Sequence, residues 1–227
     1  MQLAIPAFWH NRNFAKLWFG QTVSLFGSNI TLLALPLAAA TQLAATPVQM
    51  GIMQSAQYLP FLLFGLLAGV WVDRLPRRPV MLVADLGRAL ALAVVPVAAW
   101  GGWLSMPVLY AVTFVMGTLN LFFEAAYAAI LPALVPASEL APSNSKLQTS
   151  AAVAEIAGPG LAGWLVQVVT AAGALLGDAA SFLVSAGALA WMHPEEPART
   201  ANASRESLWR ELRAGLGAVL RNPYIRP

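Results

Sequence analysis

The sequence contains no cysteine and only two histidines among its 227 residues. Without thiols the chain has no disulfide, no thiolate metal site and no cysteine nucleophile. The two histidines, His10 and His193, are too far apart in sequence to suggest a metal site. Charged residues are also scarce, at 10% of the chain compared with about 25% in typical soluble domains. No metal site is therefore predicted.

Hydrophobic residues, in contrast, make up 59% of the chain, whereas typical soluble domains contain about 45–50%. A soluble fold of this size has no interior large enough to hide so many apolar side chains. The same excess excludes intrinsic disorder. The net charge of +3 is not arranged as a basic stripe with interleaved aromatic residues, so no nucleic-acid partner is expected. The composition predicts an all-α membrane protein in contact with lipid.

Six apolar segments are long enough to cross a bilayer, which requires about 20 residues. Residues 1–192 are therefore predicted to form a bundle of six transmembrane helices, and residues 193–227 a cytoplasmic linker. Within the linker, Leu208, Leu212 and Leu216 recur at helical spacing among arginines, which predicts an amphipathic helix on the membrane surface or against the bundle. An ordinary solvated helix is the alternative. The predicted spans cover residues 17–43, 50–72, 80–100, 107–130, 147–169 and 172–192.

The 13 lysines and arginines are distributed asymmetrically along this pattern. They precede the first span, occupy the second and fourth connections, lie just inside the third span, or belong to the tail. The first, third and fifth connections contain none. Because basic residues favour the cytoplasmic side of a membrane, both termini are predicted to be cytoplasmic.

The second connection and its flanks read Gly69-Val70-Trp71-Val72-Asp73-Arg74-Leu75-Pro76-Arg77-Arg78. This pattern resembles the cytoplasmic loop signature of the major facilitator superfamily. Gly69 permits tight packing at the end of a helix, and Asp73 can accept hydrogen bonds from a helix N-terminus or pair with arginines. Pro76 occupies a position where the family usually has glycine, which we expect to stiffen the turn. The resemblance implies a gating role for the matching residues Gly69, Asp73, Arg74, Arg77 and Arg78.

The fifth span contains the run Glu155-Ile156-Ala157-Gly158-Pro159-Gly160-Leu161-Ala162-Gly163, which is similar to the Gly-Pro-rich motif of export-type members of that family. Residues 13–18, 85–89 and 131–136 resemble the macrolide-efflux and siderophore-exporter branch. Complete members have twelve helices in two halves of six. The resemblance thus covers the first half, and it implies a second six-helix half, supplied by a missing C-terminal part or by a partner chain. The residues that carry the fifth-helix motif are Glu155, Gly158, Pro159, Gly160 and Gly163.

Ionisable residues inside the spans are candidate proton or charge sites, because each is costly in hydrocarbon. Asp85 and Arg88 are three residues apart on one helix face, which predicts a structural pair; a gating role is the alternative. Glu124 is a second candidate partner for Arg88. Asp178 and Glu155 have no basic residue nearby in sequence. Each is either a proton carrier or a hydrogen-bonding group that never titrates.

Four further polar residues in the spans are candidates to line a cavity, or to tie neighbouring helices together. They are Gln21, Asn29, Gln57 and Asn120.

Taken together, these features predict a secondary active transporter of the plasma membrane, in particular a bacterial inner membrane. We expect it to export small amphipathic molecules of the drug, macrolide or siderophore type by alternating access. The proton gradient is the expected energy source, with no cofactor, since the chain has no Walker motif. Uptake by symport and lipid transport stay open. A membrane enzyme is less favoured without a zinc motif or nucleophile elbow, as is a channel without a filter segment.

Overall fold

A computed structural model describes residues 11–193, apart from the side chains of Leu66, Val70 and Asp73. The predicted linker and its amphipathic helix lie outside the described residues, except for His193. The described chain forms six helices joined by short connections. Their bounds are α1 Arg12–Leu43, α2 Pro47–Arg74, α3 Arg77–Trp100, α4 Met106–Leu134, α5 Ala137–Val169 and α6 Ala171–Ala190.

Local signals in the sequence set several of these boundaries. Asn11 caps α1, because its side-chain oxygen accepts a hydrogen bond from the backbone N–H of Phe14 at 3.1 Å. Thr46 and Gln49 form a reciprocal capping box at the start of α2. Pro76 and Pro136 directly precede α3 and α5, and the restriction that proline places on the preceding residue breaks the helix there.

The predicted connection over residues 131–146 is wrong, because nearly all of it is helical. Helix α4 continues to Leu134 and α5 already begins at Ala137. The polar residues of this stretch therefore did not mark the end of a helix. Ser145, for example, donates its hydroxyl to the carbonyl oxygen of Ala141 one turn earlier at 3.0 Å, so its polarity is compatible with continued helix.

The helices pack in a pattern with internal two-fold symmetry. Helix α1 packs on α5 and α6, α4 packs on α2 and α3, and α3 packs on α6. Exchanging α1–α3 for α4–α6 reproduces the same set of contacts. Such a relation is typical of transporter halves built from inverted three-helix repeats.

Five of the six helices in the described part, all except α2, are long and apolar enough to cross a membrane. The chain is thus a multi-pass membrane protein by length and composition, while the crossing of α2 and the position of the termini stay predictions. The buried apolar residues form two clusters. One contains Phe14, Met81 and Phe123, and the other contains Leu92 and Leu109.

Candidate functional site

A layer of buried polar residues separates the two apolar clusters. Along α3, the sequence passes from Ala84 of one cluster through Asp85 and Arg88 to Ala89 of the other. On α4, Met116 belongs to one cluster and Phe123 to the other, and Asn120 lies between them. We call two hydrogen-bonded groups of polar residues in this layer the charged layer. One group is Asp85, Arg88 and Asn120, and the other is Thr31, Asp178 and Ser181.

Arg88 is the cation of the charged layer, and it forms the ion pair with Asp85 that the spacing predicts. Both residues are buried, with exposed fractions of 5% and 0%. The Nη1 atom of Arg88 also donates a hydrogen bond to Oδ1 of Asn120 on α4, at 2.8 Å. A buried charge is tolerated only when it is paired and hydrogen-bonded, and Arg88 meets both conditions.

Two aromatic rings enclose the same guanidinium group. The Cζ atom of Arg88 lies 4.1 Å from the ring centroid of Phe123 on α4 and 4.3 Å from that of Phe182 on α6. At these distances the ring faces attract a cation. Arg88 therefore joins α3, α4 and α6 at a single point.

Asp178 is the second buried carboxylate of the charged layer, and its exposed fraction is 0%. One carboxylate oxygen accepts a hydrogen bond from the hydroxyl of Thr31 on α1. The other accepts one from the hydroxyl of Ser181, at 2.9 Å. Helix α1 comes this close to α6 because residue 27 is glycine: a Cβ atom there would collide with Ser181 and Asp178. Asp178 thus joins α1 to α6.

The charged layer connects these two groups electrostatically. Arg88 interacts at longer range with Asp178 and with Glu124, so three carboxyl groups share one guanidinium. Glu124 differs from the other two because it is exposed. Within residues 11–193, no three potential metal-ligating side chains cluster.

A cavity of about 110 Å³ opens beside Asp178. Helices α1, α2, α4 and α6 contribute to its wall, and its lining is mixed in character. Among the described residues that line it, Asp178 alone is ionisable. The polar part of the lining consists of Ser28, Thr31, Gln54, Gln57, Thr113, Asn120 and Asp178, and the apolar part includes Leu35, Met53 and Met116.

Two of the four predicted cavity residues, Gln57 and Asn120, line this cavity. Gln21 and Asn29 do not. Asn29 instead donates to the carbonyl oxygen of Leu25 at 2.9 Å and packs where α5 approaches α1. The prediction missed Gln54, although its position one helical turn before Gln57 was a usable signal.

Thr31 and Thr113 were also missed, and no sequence signal marked them. Hydroxyl residues in helices commonly bond to the carbonyl oxygen one turn earlier, as Thr113 does with Leu109 at 2.9 Å. A threonine that does so looks the same in sequence as Thr31, whose hydroxyl reaches a different helix.

The loop motif lies at the end of the bundle where the basic residues gather. Arg78 donates from Nε to the carbonyl oxygen of Leu189 at 2.7 Å, and from Nη2 to that of Ala190. It thereby caps the C-terminus of α6, where unpaired carbonyl groups attract cations. Gly69 and Arg74 are exposed at the end of α2, and Arg77 begins α3. The side chain of Asp73 is outside the described part, so its gating role stays a prediction.

The start of α1 holds the same end of α6. Lys16 donates to the carbonyl oxygen of Trp191. Asn13 donates to the carbonyl oxygen of His193 at 2.9 Å and accepts from its backbone N–H at 3.2 Å. We call these contacts, together with those of Arg78, the α6 clamp.

The fifth-helix motif divides between two faces of α5. Gly158 packs against Asn29 of α1, where a Cβ atom would be 2.5 Å from that of the asparagine. Gly160 and Gly163 face open space. Glu155 and Pro159 are exposed, and Glu155 does not line the cavity beside Asp178.

These observations define a polytopic helical membrane protein whose interior contains an ion pair, a lone carboxylate and a cavity of mixed polar and apolar lining. The family model of the Major Facilitator Superfamily matches residues 17–226. The chain therefore belongs to the major facilitator superfamily, a family of membrane transporters, as the motifs of the second connection and the fifth span predicted.

Similar proteins come from several bacteria. The chain is 25% identical over 224 residues to the uncharacterized MFS-type transporter YfiS of Bacillus subtilis (strain 168), covering 97% of this chain and 52% of that protein. It is 30% identical over 155 residues to Macrolide efflux protein A of Streptococcus pyogenes, covering 68% and 38%. It is 27% identical over 214 residues to the uncharacterized MFS-type transporter y4rN of Sinorhizobium fredii, covering 93% and 51%.

The chain thus spans about half the length, or less, of these relatives. No solved structure matches it.

Proposed function

We propose that this chain is the first half of a proton-coupled exporter of small amphipathic molecules, working by alternating access. The observation that carries the proposal is Asp178. It is a fully buried carboxylate that lines a cavity of mixed polar and apolar character and accepts hydrogen bonds from two hydroxyl groups. A carboxylate in this setting can hold or release one proton without losing its hydrogen-bonding partners.

The surroundings of Asp178 support a role in coupling. Its proton state changes the charge beside Arg88, which is already paired with Asp85 and held against α4 and α6. Protonation therefore alters the balance of forces between α1, which contacts Asp178 through Thr31, and the unit formed by α3, α4 and α6. A transporter needs such a link between a proton and a helix contact.

Export is the proposed direction because the fifth helix carries the Gly-Pro motif, and because one relative is named a macrolide efflux protein. The proposed substrates are drug-, macrolide- or siderophore-like molecules. The proposed location is the bacterial inner membrane, with both termini in the cytoplasm. A second six-helix half completes the substrate path. The alternatives within the same fold are uptake by symport and lipid transport.

The proposal is tested by substituting Asp178→Asn in the full-length protein, reconstituted into liposomes with a proton gradient. Asparagine keeps the shape and the acceptor oxygen but cannot carry a proton. We expect gradient-driven transport to be lost, exchange of substrate without a gradient to persist, and Asp178→Glu to restore part of the driven rate.

The matched control is Glu155→Gln, which removes a carboxylate from α5 outside the cavity. It is expected to retain driven transport. Unchanged gradient-driven transport in Asp178→Asn would contradict the proposed role of Asp178, and loss of transport in Glu155→Gln alone would move that role to α5.

A further inference from the structure

A second cavity lies on the outside of the bundle, between α1 and α6, at the end that bears the α6 clamp. Its volume is about 490 Å³, within the range of about 300–1,000 Å³ that is usual for small-molecule sites. The walls are apolar except for Lys16. We call this cavity the lateral groove.

The lateral groove faces away from the core. Phe14 and Leu17 point into the bundle and are buried, whereas Phe19, on the opposite face of α1, has an exposed fraction of 55%. Across the groove, Trp191 is 76% exposed. A side chain added at Gly187 would meet nothing within 4 Å. In a protein embedded in a bilayer, such a surface is covered by an acyl chain.

The groove ends in a basic rim. Lys16 holds its ammonium group at the carbonyl oxygen of Trp191, which leaves two of its three N–H donors for another acceptor. Arg12 is one helical turn earlier on the same face of α1 and is exposed. None of the described residues that line the groove is acidic. The rim therefore attracts a negative group and offers nothing to pair with a positive one.

We propose that the lateral groove binds an anionic phospholipid. Its phosphate lies between Lys16 and Arg12, and one acyl chain lies along Phe19, Val184 and Gly187. Trp191 closes the groove at the depth of the headgroups, a position that tryptophan favours. Because Lys16 and Trp191 both belong to the α6 clamp, the bound lipid contacts the same residues that hold α6 to α1.

The test measures retained lipid by native mass spectrometry. The full-length protein is purified in detergent and mixed with equal amounts of phosphatidylglycerol and phosphatidylcholine that carry the same acyl chains. We expect phosphatidylglycerol to be retained preferentially. Lys16→Gln should weaken its binding about 5-fold, the value for one basic residue near a membrane surface, and Lys16→Arg should restore it. Lys146→Gln removes a charge away from the groove and should change nothing.

A second pair of variants tests the groove independently of charge. Gly187→Leu fills it and should release the lipid, while Gly51→Leu, at an equally open glycine on α2, should not. Equal retention of the two lipids by the unmodified protein would overturn the proposal. So would unchanged phosphatidylglycerol binding in both Lys16→Gln and Gly187→Leu. A photocrosslinker at Val184 that captures residues 205–221 would assign the groove to the tail of this chain instead.

Discussion

Helices α5 and α6 are neighbours in sequence and both are apolar enough to span a membrane, yet they occupy opposite environments. In α6, 12 of 20 residues are buried, whereas in α5 only 5 of 33 are. Asp178 of α6 is enclosed, whereas Glu155, near the middle of α5, is exposed. Lipid and protein core are similarly apolar, so hydropathy alone does not distinguish a central helix from a peripheral one. The difference lies in which polar groups find partners on other helices.

The largest loss of stability is expected when Arg88 is removed, because Phe182 of α6 helps to enclose this cation. Arg88→Met leaves Asp85 buried without its partner, and breaking a buried pair in this way costs about 3–5 kcal/mol. We expect a correspondingly lower free energy of unfolding, measured by denaturant titration of the protein in detergent micelles.

The matched change on α5 is Glu155→Met, which removes an exposed charge and should leave the unfolding midpoint where it is. The double variant Asp85→Leu and Arg88→Met should recover much of the loss, since it removes both buried charges. If Arg88→Met is as stable as the unmodified protein, the charged layer does not hold α3, α4 and α6 together.

An intermediate effect is expected where α1 approaches α6. Gly27→Ala places a methyl group against Ser181 and Asp178, and overpacking of this kind costs about 1–3 kcal/mol. We expect a lower melting temperature, which is measured from tryptophan fluorescence during heating.

Gly160→Ala on α5 provides the contrast. Its methyl group meets nothing within 4 Å, and alanine favours a helix over glycine by about 1 kcal/mol. This variant should be as stable as the original or slightly more so. A greater loss of stability in Gly160→Ala than in Gly27→Ala would contradict the conclusion that Gly27 is closely packed and Gly160 is not.

The smallest effect is expected from single interhelical hydrogen bonds. Thr31→Val removes the donor to Asp178 from α1, and bonds of this type in membrane proteins average about 0.6 kcal/mol. Ser150→Ala removes the acceptor on α5 for Nε1 of Trp18, a bond of 2.9 Å, with a similar cost in stability. The two should differ in function: Thr31→Val should alter the pH dependence of transport, and Ser150→Ala should not. Identical pH profiles of transport for both variants would show that Thr31 takes no part in proton coupling.

The sequence predicted an all-helical membrane protein, the ion pair of Asp85 with Arg88 and the family, because each depends on local runs or on spacing within one helix. It could not rank Asp178 above Glu155. Both are single carboxylates in apolar segments, and only the packing of α1 against α6 gives Asp178 its partner Thr31. The sequence analysis also missed that residues 131–146 are mostly helical. The cause is related, since polar residues in a sequence do not by themselves end a helix.

The α6 clamp has a mechanical consequence. Arg78 from α3 donates to the last carbonyl groups of α6. Lys16 and Asn13 from α1 donate to the carbonyl groups of Trp191 and His193 just beyond it. A displacement of the end of α6 is therefore transmitted directly to α1 and α3, so the three helices are held together at this end of the bundle.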